Sequence, residues 1–177
     1  MSAPATAKPT AAFSAFLQIS GVPGESTDDK HKDWVEVLSY GHQMTQPTSS
    51  TRSSAGGAAT GRTQHGDFAI TKFVDKASPK LYEAVSNGKH FDKIKMEVCR
   101  AGGSQVKFLE ITLEEVMVSN VQINSTGQPN SEGDILPSET VHLNYGKIEW
   151  IYTQQKRKDG SGGGNVTAKH DLTTGKS

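Results

Sequence analysis

The residues most suggestive of chemistry lie in a glycine-rich run, GGAATGRT, at positions 56–63. Its spacing matches that of a phosphate-binding loop in which Arg62 takes the place of the usual lysine. Such a loop needs the compact lysine charge at the phosphates and a helix that begins directly after it. Here QHG at 64–66 leads into a strand pattern. The sequence therefore favours a coincidental match over a nucleotide site.

Histidines and carboxylates are the other residues that could do chemistry. No two of the six histidines have the close helical spacing of a zinc site, and we interpret them as solvent-facing or edge-of-sheet residues. Glu110, Glu114 and Glu115 could supply paired carboxylates for acid–base catalysis. No nucleophile or oxyanion donor lies near them in the sequence, which favours an exposed charged strand face. We therefore predict no catalytic residue, no metal site and no cofactor, and we do not expect an enzyme.

Composition argues against several classes of protein. Nineteen basic residues balance nineteen acidic ones, so the formal net charge is zero, unlike that of a dedicated nucleic-acid binder. The KRK cluster at 156–158 is followed by Asp159 and is typical of a solvated turn. The single cysteine, Cys99, excludes an intramolecular disulfide. We expect no nucleic-acid partner and no membrane insertion, because no run approaches the roughly 20 apolar residues of a membrane helix.

The N-terminal segment MSAPATAKPTAAF has neither a basic start nor a following apolar stretch. A cleavable secretory signal needs both. We therefore expect a protein that is made in the cytoplasm and exported, if at all, without a cleavable signal peptide. The expected organisation is a disordered tail at 1–12, a single domain at 13–173 and a short tail at 174–177.

The elements that would position these residues are mostly strands. Alternating or continuous apolar runs bounded by turn residues predict them. The predicted strands cover residues 14–20, 34–44, 67–75, 91–101, 106–123, 139–155 and 165–172. One helix is predicted at about Ser78–Asn87, with Ser78 as the N-cap, Pro79 at the first helical position and Gly88 as the left-handed terminator.

Two of the long strands change their hydrophobic phase part-way along, which indicates bends. In the strand at 106–123 the apolar residues switch phase around Glu114 and Glu115, and in the strand at 139–155 they switch at Gly146. Bulges and glycines at such positions let a strand turn from one sheet into another. The sequence therefore predicts a mainly β fold, a two-sheet β-barrel or sandwich with one short α-helix.

A polar loop at 47–66 separates two of these strands and contains no large apolar side chain. Loops of this length without structure of their own are uncommon in compact domains unless they are functional or disordered. Small residues would let its backbone lie close against a second copy of the chain. The predicted inter-subunit residues are Arg52, Gly56, Gly57, Gly61, Arg62 and His65. The acidic turn with Glu25, Asp28 and Asp29 is the predicted partner surface.

Several segments together resemble the hemolysin-coregulated protein (Hcp) family, which forms the tube of the bacterial type VI secretion system. The matching segments are AFLQISGVPGES, FAITKFVDKASPKLYEAVSNGKH, the AGG turn, ITLEEVMVSNV and GGGNVTAKHDL, and they span about 15–172 in family order. The strand–helix block with KxxD, SPxL and GKH is long and specific. At His170 the chain departs from the family, because many members have tryptophan before the Asp-Leu pair.

The resemblance implies a β-barrel of two sheets with one helix that assembles into homohexameric rings. The rings stack into a hollow tube within a contractile sheath, with a spike protein at the tip, and the lumen shelters small effectors. It also implies export from the bacterial cytoplasm to the extracellular space or a target cell. In such proteins the loop corresponding to 47–66 reaches an adjacent subunit or ring.

One alternative of a different class is a small β-barrel module that binds a glycan or a small ligand. Such a module needs a concave site lined by aromatic residues with a few polar groups. The candidates are Trp34, Tyr40, Trp150 and Tyr152, whose strand spacing favours packing over binding. A ring-forming protein and a monomeric binding module differ in oligomeric state, which separates the two hypotheses.

Overall fold

A computed structural model describes residues 13–48, 61–101, 105–155 and 162–176. The strands are β1 Phe13–Ile19, β2 Val35–Val37, β3 Ser39–Gly41, β4 Met44–Thr45, β5 Gln64–His65, β6 Phe68–Phe73, β7 His90–Arg100, β8 Lys107–Pro129, β9 Ile135–Asn144, β10 Lys147–Gln155 and β11 Gly162–Asp171, with one helix, α1 Ser78–Asn87. The prediction of a mainly β fold with one short helix is confirmed. The tail predicted at 1–12 lies outside the described residues, as does the loop segment at 49–60.

Nine of the strands form one antiparallel sheet, in the order β2-β1-β7-β8-β9-β6-β3, with β10 on β8 and β11 on β10. The ends of this order, β2 and β3, are separated along the chain only by Leu38, whose N–H donates to the carbonyl oxygen of Thr71 at 2.8 Å. The sheet therefore curls over its own core. It forms an open, sandwich-like structure and does not close into a barrel. A second, two-stranded sheet pairs β4 with β5.

The two predicted bends meet at one corner of the sheet. Glu115 has a φ of 55°, a left-handed conformation that lets β8 change direction. The N–H of Gly146, between β9 and β10, donates to the carbonyl oxygen of Glu114 at 3.0 Å. A Cβ at position 146 would lie 2.5 Å from Glu115 Oε2 and 3.1 Å from Glu115 Cβ. A side chain at position 146 would therefore displace the Glu115 carboxylate and press on its Cβ, so glycine fits best where the two bends approach each other.

The helix has the predicted bounds, but its N-terminus is built differently. The N-cap is Ala77, which makes no side-chain cap, and Ser78 is the first helical residue. The prediction of Ser78 as the N-cap is thus wrong, because its hydroxyl accepts the N–H of Asp75 and donates to Glu139 at 2.8 Å. Gly88 ends the helix as predicted, at φ 63° and ψ 36°. Within the described residues, no helix is long and apolar enough to cross a membrane.

The core lies between the curled sheet and the buried face of α1. Its members include apolar side chains from seven strands and the helix, among them Leu17, Phe68, Leu81, Ile94, Leu113 and Leu143. A buried ionic cluster adjoins it: Lys72 and Glu139 have no exposed side-chain surface, and Lys72 Nζ lies 2.8 Å from Glu139 Oε1. Lys72 Nζ also lies 2.8 Å from Asp75 Oδ1. Tyr82 donates to the other carboxylate oxygen of Glu139 at 2.5 Å, so the cluster ties α1 to β6 and β9.

The C-terminal end of the described chain folds back onto β11. The N–H of Asp171 donates to the carbonyl oxygen of Lys176 at 2.8 Å, and that of Leu172 to the carbonyl oxygen of Gly146 at 2.9 Å. The Asp171 carboxylate accepts from Thr173 and Thr174. This turn lies beside the base of the long loop, because one groove is lined by residues of both.

Candidate functional site

The long loop leaves the sheet through a narrow neck, which we define as residues 42–48 and 61–66. Met44 pairs with His65 and Thr45 with Gln64 in the two-stranded sheet. Beyond this pair, the side chain of Gln46 donates to the carbonyl oxygen of Gly61 at 2.7 Å and accepts from the Thr63 hydroxyl at 2.6 Å. The two arms of the loop are thus clamped together where they leave the fold.

Three histidines and a tyrosine meet where the neck joins the sheet. His42 Nε2 is 2.5 Å and His65 Nδ1 is 2.8 Å from the hydroxyl of Tyr145, a residue only 5% exposed. The ring of His65 stacks on that of His170 from β11, with centroids 5.0 Å apart and planes 11° from parallel. The ring of Trp150 lies 6.3 Å from His42 and 6.5 Å from His65. We call His42, His65, His170 and Tyr145 the histidine cluster.

The environment of the cluster favours neutral imidazoles. Burial lowers the pKa of His42, and the nearby His65 lowers it further. Burial likewise lowers the pKa of His65, with a smaller contribution from His170. Burial raises the pKa of Tyr145, and the carboxylate of Asp67 raises it further. The side chains of His42, His65 and Tyr145 are therefore uncharged near neutral pH.

The predicted inter-subunit residues fall into two groups. Arg52, Gly56 and Gly57 lie outside the described residues. Gly61 and Arg62 are exposed at the neck, and Arg62 lines a groove with His170, Leu172 and Thr174. His65 is half-buried and belongs to the histidine cluster. The glycine-rich motif is followed by β5 and then β6, so the helix that a phosphate-binding loop requires is not present after Thr63.

The acidic turn predicted as the partner surface is only partly free. Asp28 Oδ1 lies 2.5 Å from His31 Nδ1, and Glu25 accepts the N–H of Lys76 at 3.0 Å. Burial alone would raise the pKa of Asp28, but its hydrogen bonds with His31 and with the backbone of Lys30, together with the charge of His31, outweigh this and the pKa is lowered. Asp29 is exposed. Glu25 and Asp29 thus remain at the surface, whereas Asp28 mainly holds His31 in place.

The interpretation of the histidines as surface residues is wrong for His31, which is 1% exposed. Its ring stacks on Phe16 at 4.2 Å, and its second nitrogen lies 3.0 Å from Glu97 Oε2. The interpretation also missed the histidine cluster, because His42, His65 and His170 are far apart in sequence. Within the part of the chain that the structure describes, no group of three or more His, Cys, Asp or Glu residues is arranged to hold a metal ion.

The carboxylates considered for catalysis are each paired with a lysine. Glu110 pairs with Lys107 and Lys95, Glu114 with Lys93 at 3.2 Å, and Glu115 with Lys147 at 3.1 Å. Lys93 and Glu114 lie directly opposite each other on β7 and β8, as expected for a charged strand face, whereas Lys107 and Glu110 lie three residues apart on β8 itself. The arrangement offers no carboxylate pair poised around a reacting atom.

The aromatic residues considered for ligand binding pack in different places. Trp34 contacts the edge of the His31 ring at 4.9 Å. Tyr40 packs against Phe13 and Phe68. Tyr152 is 47% exposed and lies opposite Val166 on β11. This arrangement gives the glycan or small-ligand alternative no support.

Comparison with known proteins places the chain in a family. A family model described as "Type VI secretion system effector, Hcp" matches residues 16–152. The chain belongs to the Hcp family. The curated relative "Protein hcp1" of Pseudomonas aeruginosa is 36% identical over 156 residues, which cover 88% of this chain and 92% of that protein. The "Major exported protein" of the same organism is 29% identical over 133 residues, 73% of this chain and 74% of that protein.

A solved structure described as that of a type six secretion system protein has the same fold. It superposes with a TM-score of 0.82 at 32% identity, covering 93% of this chain and 99% of that one. The resemblance predicted from the sequence segments is therefore confirmed. Membership of the Hcp family connects the chain with type VI secretion.

Proposed function

We propose that this chain is a non-enzymatic subunit of the type VI secretion tube, forming homohexameric rings that stack into a hollow tube. The observation that carries the proposal is the clamped neck, which holds together both ends of the long loop at the surface of a well-packed domain. The run at 47–66 contains no large apolar side chain, so its sequence offers little to the core of its own subunit. Such a loop can serve contacts with a second copy.

The borders of the sheet support self-assembly. Among the described strands, β11 pairs only with β10, and residues 163–169 on it are exposed. The backbone groups along the outer border of such a strand can pair with another chain. Contacts between two different borders of identical subunits are heterologous, and they close into a ring when the rotation allows it. Zero formal net charge means that identical copies do not repel one another at long range.

The predicted neighbour contacts follow from the charges at the neck. Arg62 is exposed on one side, and Glu25 and Asp29 are exposed on the acidic turn. We propose that Arg62 and Arg52 face these acidic groups between adjacent copies, with Gly56, Gly57 and Gly61 allowing the backbones to approach closely. In the assembled system the spike protein, the contractile sheath and small effectors in the lumen would be the other partners. The tube would be made in the bacterial cytoplasm and exported by the type VI system.

The size of the purified protein tests this proposal. Native mass spectrometry is expected to show six copies of the 19.0 kDa chain. A variant in which residues 49–60 are replaced by a short Gly-Asn turn keeps the neck and every described core contact. This variant should retain the far-ultraviolet circular dichroism of the intact chain but lose ring or stack stability, because only contacts with other copies are removed.

Two outcomes would contradict the proposal. A strict monomer across a wide concentration range would reject the ring. If the shortened variant unfolded, the loop would belong to the core of its own subunit rather than to an interface.

A further inference from the structure

The histidine cluster lies where the long loop is attached to the domain. His65 is the last residue of β5, and His42 precedes β4, so the cluster holds both arms of the neck. The two side chains meet at a single atom, the hydroxyl oxygen of Tyr145, at 2.5 and 2.8 Å. The β4–β5 pairing and the Gln46 contacts join the two arms to each other, and the two hydrogen bonds to Tyr145 attach both arms to the domain.

The protonation state of the imidazoles decides whether this pair can form well. A neutral imidazole has one donor and one acceptor nitrogen, so one histidine can accept the tyrosine proton while the other donates to the tyrosine oxygen. When both rings are charged, all their nitrogens are donors and the tyrosine proton loses its acceptor. Three positive rings, with centroids 5.0 Å apart for His65 and His170 and 5.7 Å apart for His42 and His65, would also repel one another.

The surroundings of His42 and His65 compensate this positive charge only in part. Phe68 of β6 and Trp150 of β10 face the rings with uncharged surfaces, and burial outweighs the backbone hydrogen bond with Gly66 that favours charged His42. Asp67 acts on Tyr145 and accepts from Ser119 and Asn144, and the carboxylates of Glu114 and Glu149 line a pocket on the far side of His170. Asp171, next to His170, accepts from Thr173. Arg62 lines the same groove as His170, and Lys169 precedes it, so both add positive charge nearby.

We propose that the histidine cluster is a proton-sensitive latch, which holds the neck of the long loop closed when its imidazoles are neutral and releases it when they are protonated. The latch belongs to the single chain and does not depend on ring formation. If the proposed tube assembly also holds, acidification would free the loop from its own subunit while the sheet stays folded. Loop contacts between copies would then weaken at mildly acidic pH.

The sign of the effect follows from the lowered pKa values of His42 and His65. A histidine whose pKa is lower in the closed neck than in the open one favours closure above its ordinary pKa. That contribution is lost as the pH falls through the lowered value. Each pKa unit of difference changes the ratio of open to closed neck by about tenfold at acidic pH.

Hydrogen exchange of the intact chain at two pH values tests the latch. After correction for intrinsic exchange, peptides covering 42–48 and 61–66 should exchange at least about tenfold faster at about pH 5.5 than at about pH 7.5, the range in which imidazole titrates. Peptides from β7 and β8 should show no such change. A double variant, His42→Gln with His65→Gln, should give neck exchange that no longer depends on pH. His90→Gln is the matched control, because His90 is exposed at the start of β7.

A second measurement keeps the test decisive if the double variant does not fold. In the unmodified chain, the ring resonances of His42 and His65 should titrate at lower pH than those of an unstructured histidine peptide in an NMR titration. Neck exchange that is independent of pH in the unmodified chain, pH dependence that survives the double variant, or titration of both rings together with the peptide would each reject the latch. Failure to form rings would leave these results unchanged, so the two proposals are tested separately.

Discussion

At the scale of single residues, the most consequential feature is a lysine that looks misplaced in the sequence. Lys72 interrupts the apolar face formed by Phe68 and Ile70, and the structure buries it completely. The partner is Glu139, directly opposite on β9 in the strand register. Pattern alone could not identify this pair, because the register of two strands far apart in sequence is set by the whole sheet. The lone charge in an apolar face was the available signal.

Replacing Lys72 tests the value of this buried cluster. Lys72→Met would leave the buried Glu139 carboxylate without its cation, and we expect a loss of about 3–5 kcal/mol in the free energy of unfolding. Urea denaturation followed by circular dichroism measures it. The control is Lys93→Met, which removes an exposed pair with Glu114 and should cost less than about 1 kcal/mol. Equal losses in the two variants would show that the buried pair has no special role.

The candidate site was only partly predictable for the same reason, because strand pairing brings together residues that are far apart in sequence. His65 was identified as part of the loop surface, but its contact with Tyr145 could not be foreseen, because the two residues are brought together only by the folded sheet. His170 stood out as a departure from the family pattern, and the structure places it against His65. An unusual residue in an otherwise matching segment was therefore informative, although its neighbour was not predictable.

At the scale of elements, local signals located the helix and the sheet corner well. The phase switches near Glu115 and at Gly146 both coincide with the corner. The helix bounds were predicted because proline and glycine act within a few residues. The role of Ser78 was mistaken, because a buried carboxylate from another strand competes for its hydroxyl. Signals within a few residues thus predicted the helix bounds, whereas the contact of Ser78 with a distant strand could not be predicted.

At the corner, glycine substitutions of two neighbouring residues should have different effects on the free energy of unfolding. Glu115 has a φ of 55°, which costs a residue with a side chain about 1–2 kcal/mol. Glu115→Gly should therefore leave the free energy of unfolding unchanged or raise it by up to about 1 kcal/mol, even though an exposed pair with Lys147 is lost. Glu114→Gly, one residue earlier in ordinary strand conformation, should lower it by about 0.5–1 kcal/mol. Thermal unfolding of both variants checks the contrast, and a larger loss at position 115 would contradict it.

At the scale of the whole molecule, the fold class and the family followed from the sequence, but the neck did not. The glycine-rich run gave no indication that Gln46, Gly61 and Thr63 would clamp its two ends together. Such contacts depend on where the flanking strands bring the chain. The contacts proposed between copies are harder still to predict from the sequence, because they also depend on how one subunit lies against the next.

Charge exchange tests the proposed pairing between Arg62 of one copy and Asp29 of the next. Arg62→Asp and Asp29→Arg should each weaken ring association, because each places like charges opposite one another. The double variant should restore it in part, as measured by native mass spectrometry. Lys80→Asp on α1 is the control for a change of net charge at an exposed lysine. Rings that form equally in all variants would reject this pairing without rejecting the tube.

The pairing of β1 has a consequence for how the protein is made. One side of β1 pairs with the nearby β2, but the other waits for β7, with Phe13 opposite Arg100. Until residue 100 has left the ribosome, the side of β1 that pairs with β7 has no partner in its own chain. Nascent chains on one polysome expose the same unpaired strand side close to one another, at high local concentration. Synthesis is therefore the stage at which strand exchange between copies competes most directly with correct folding.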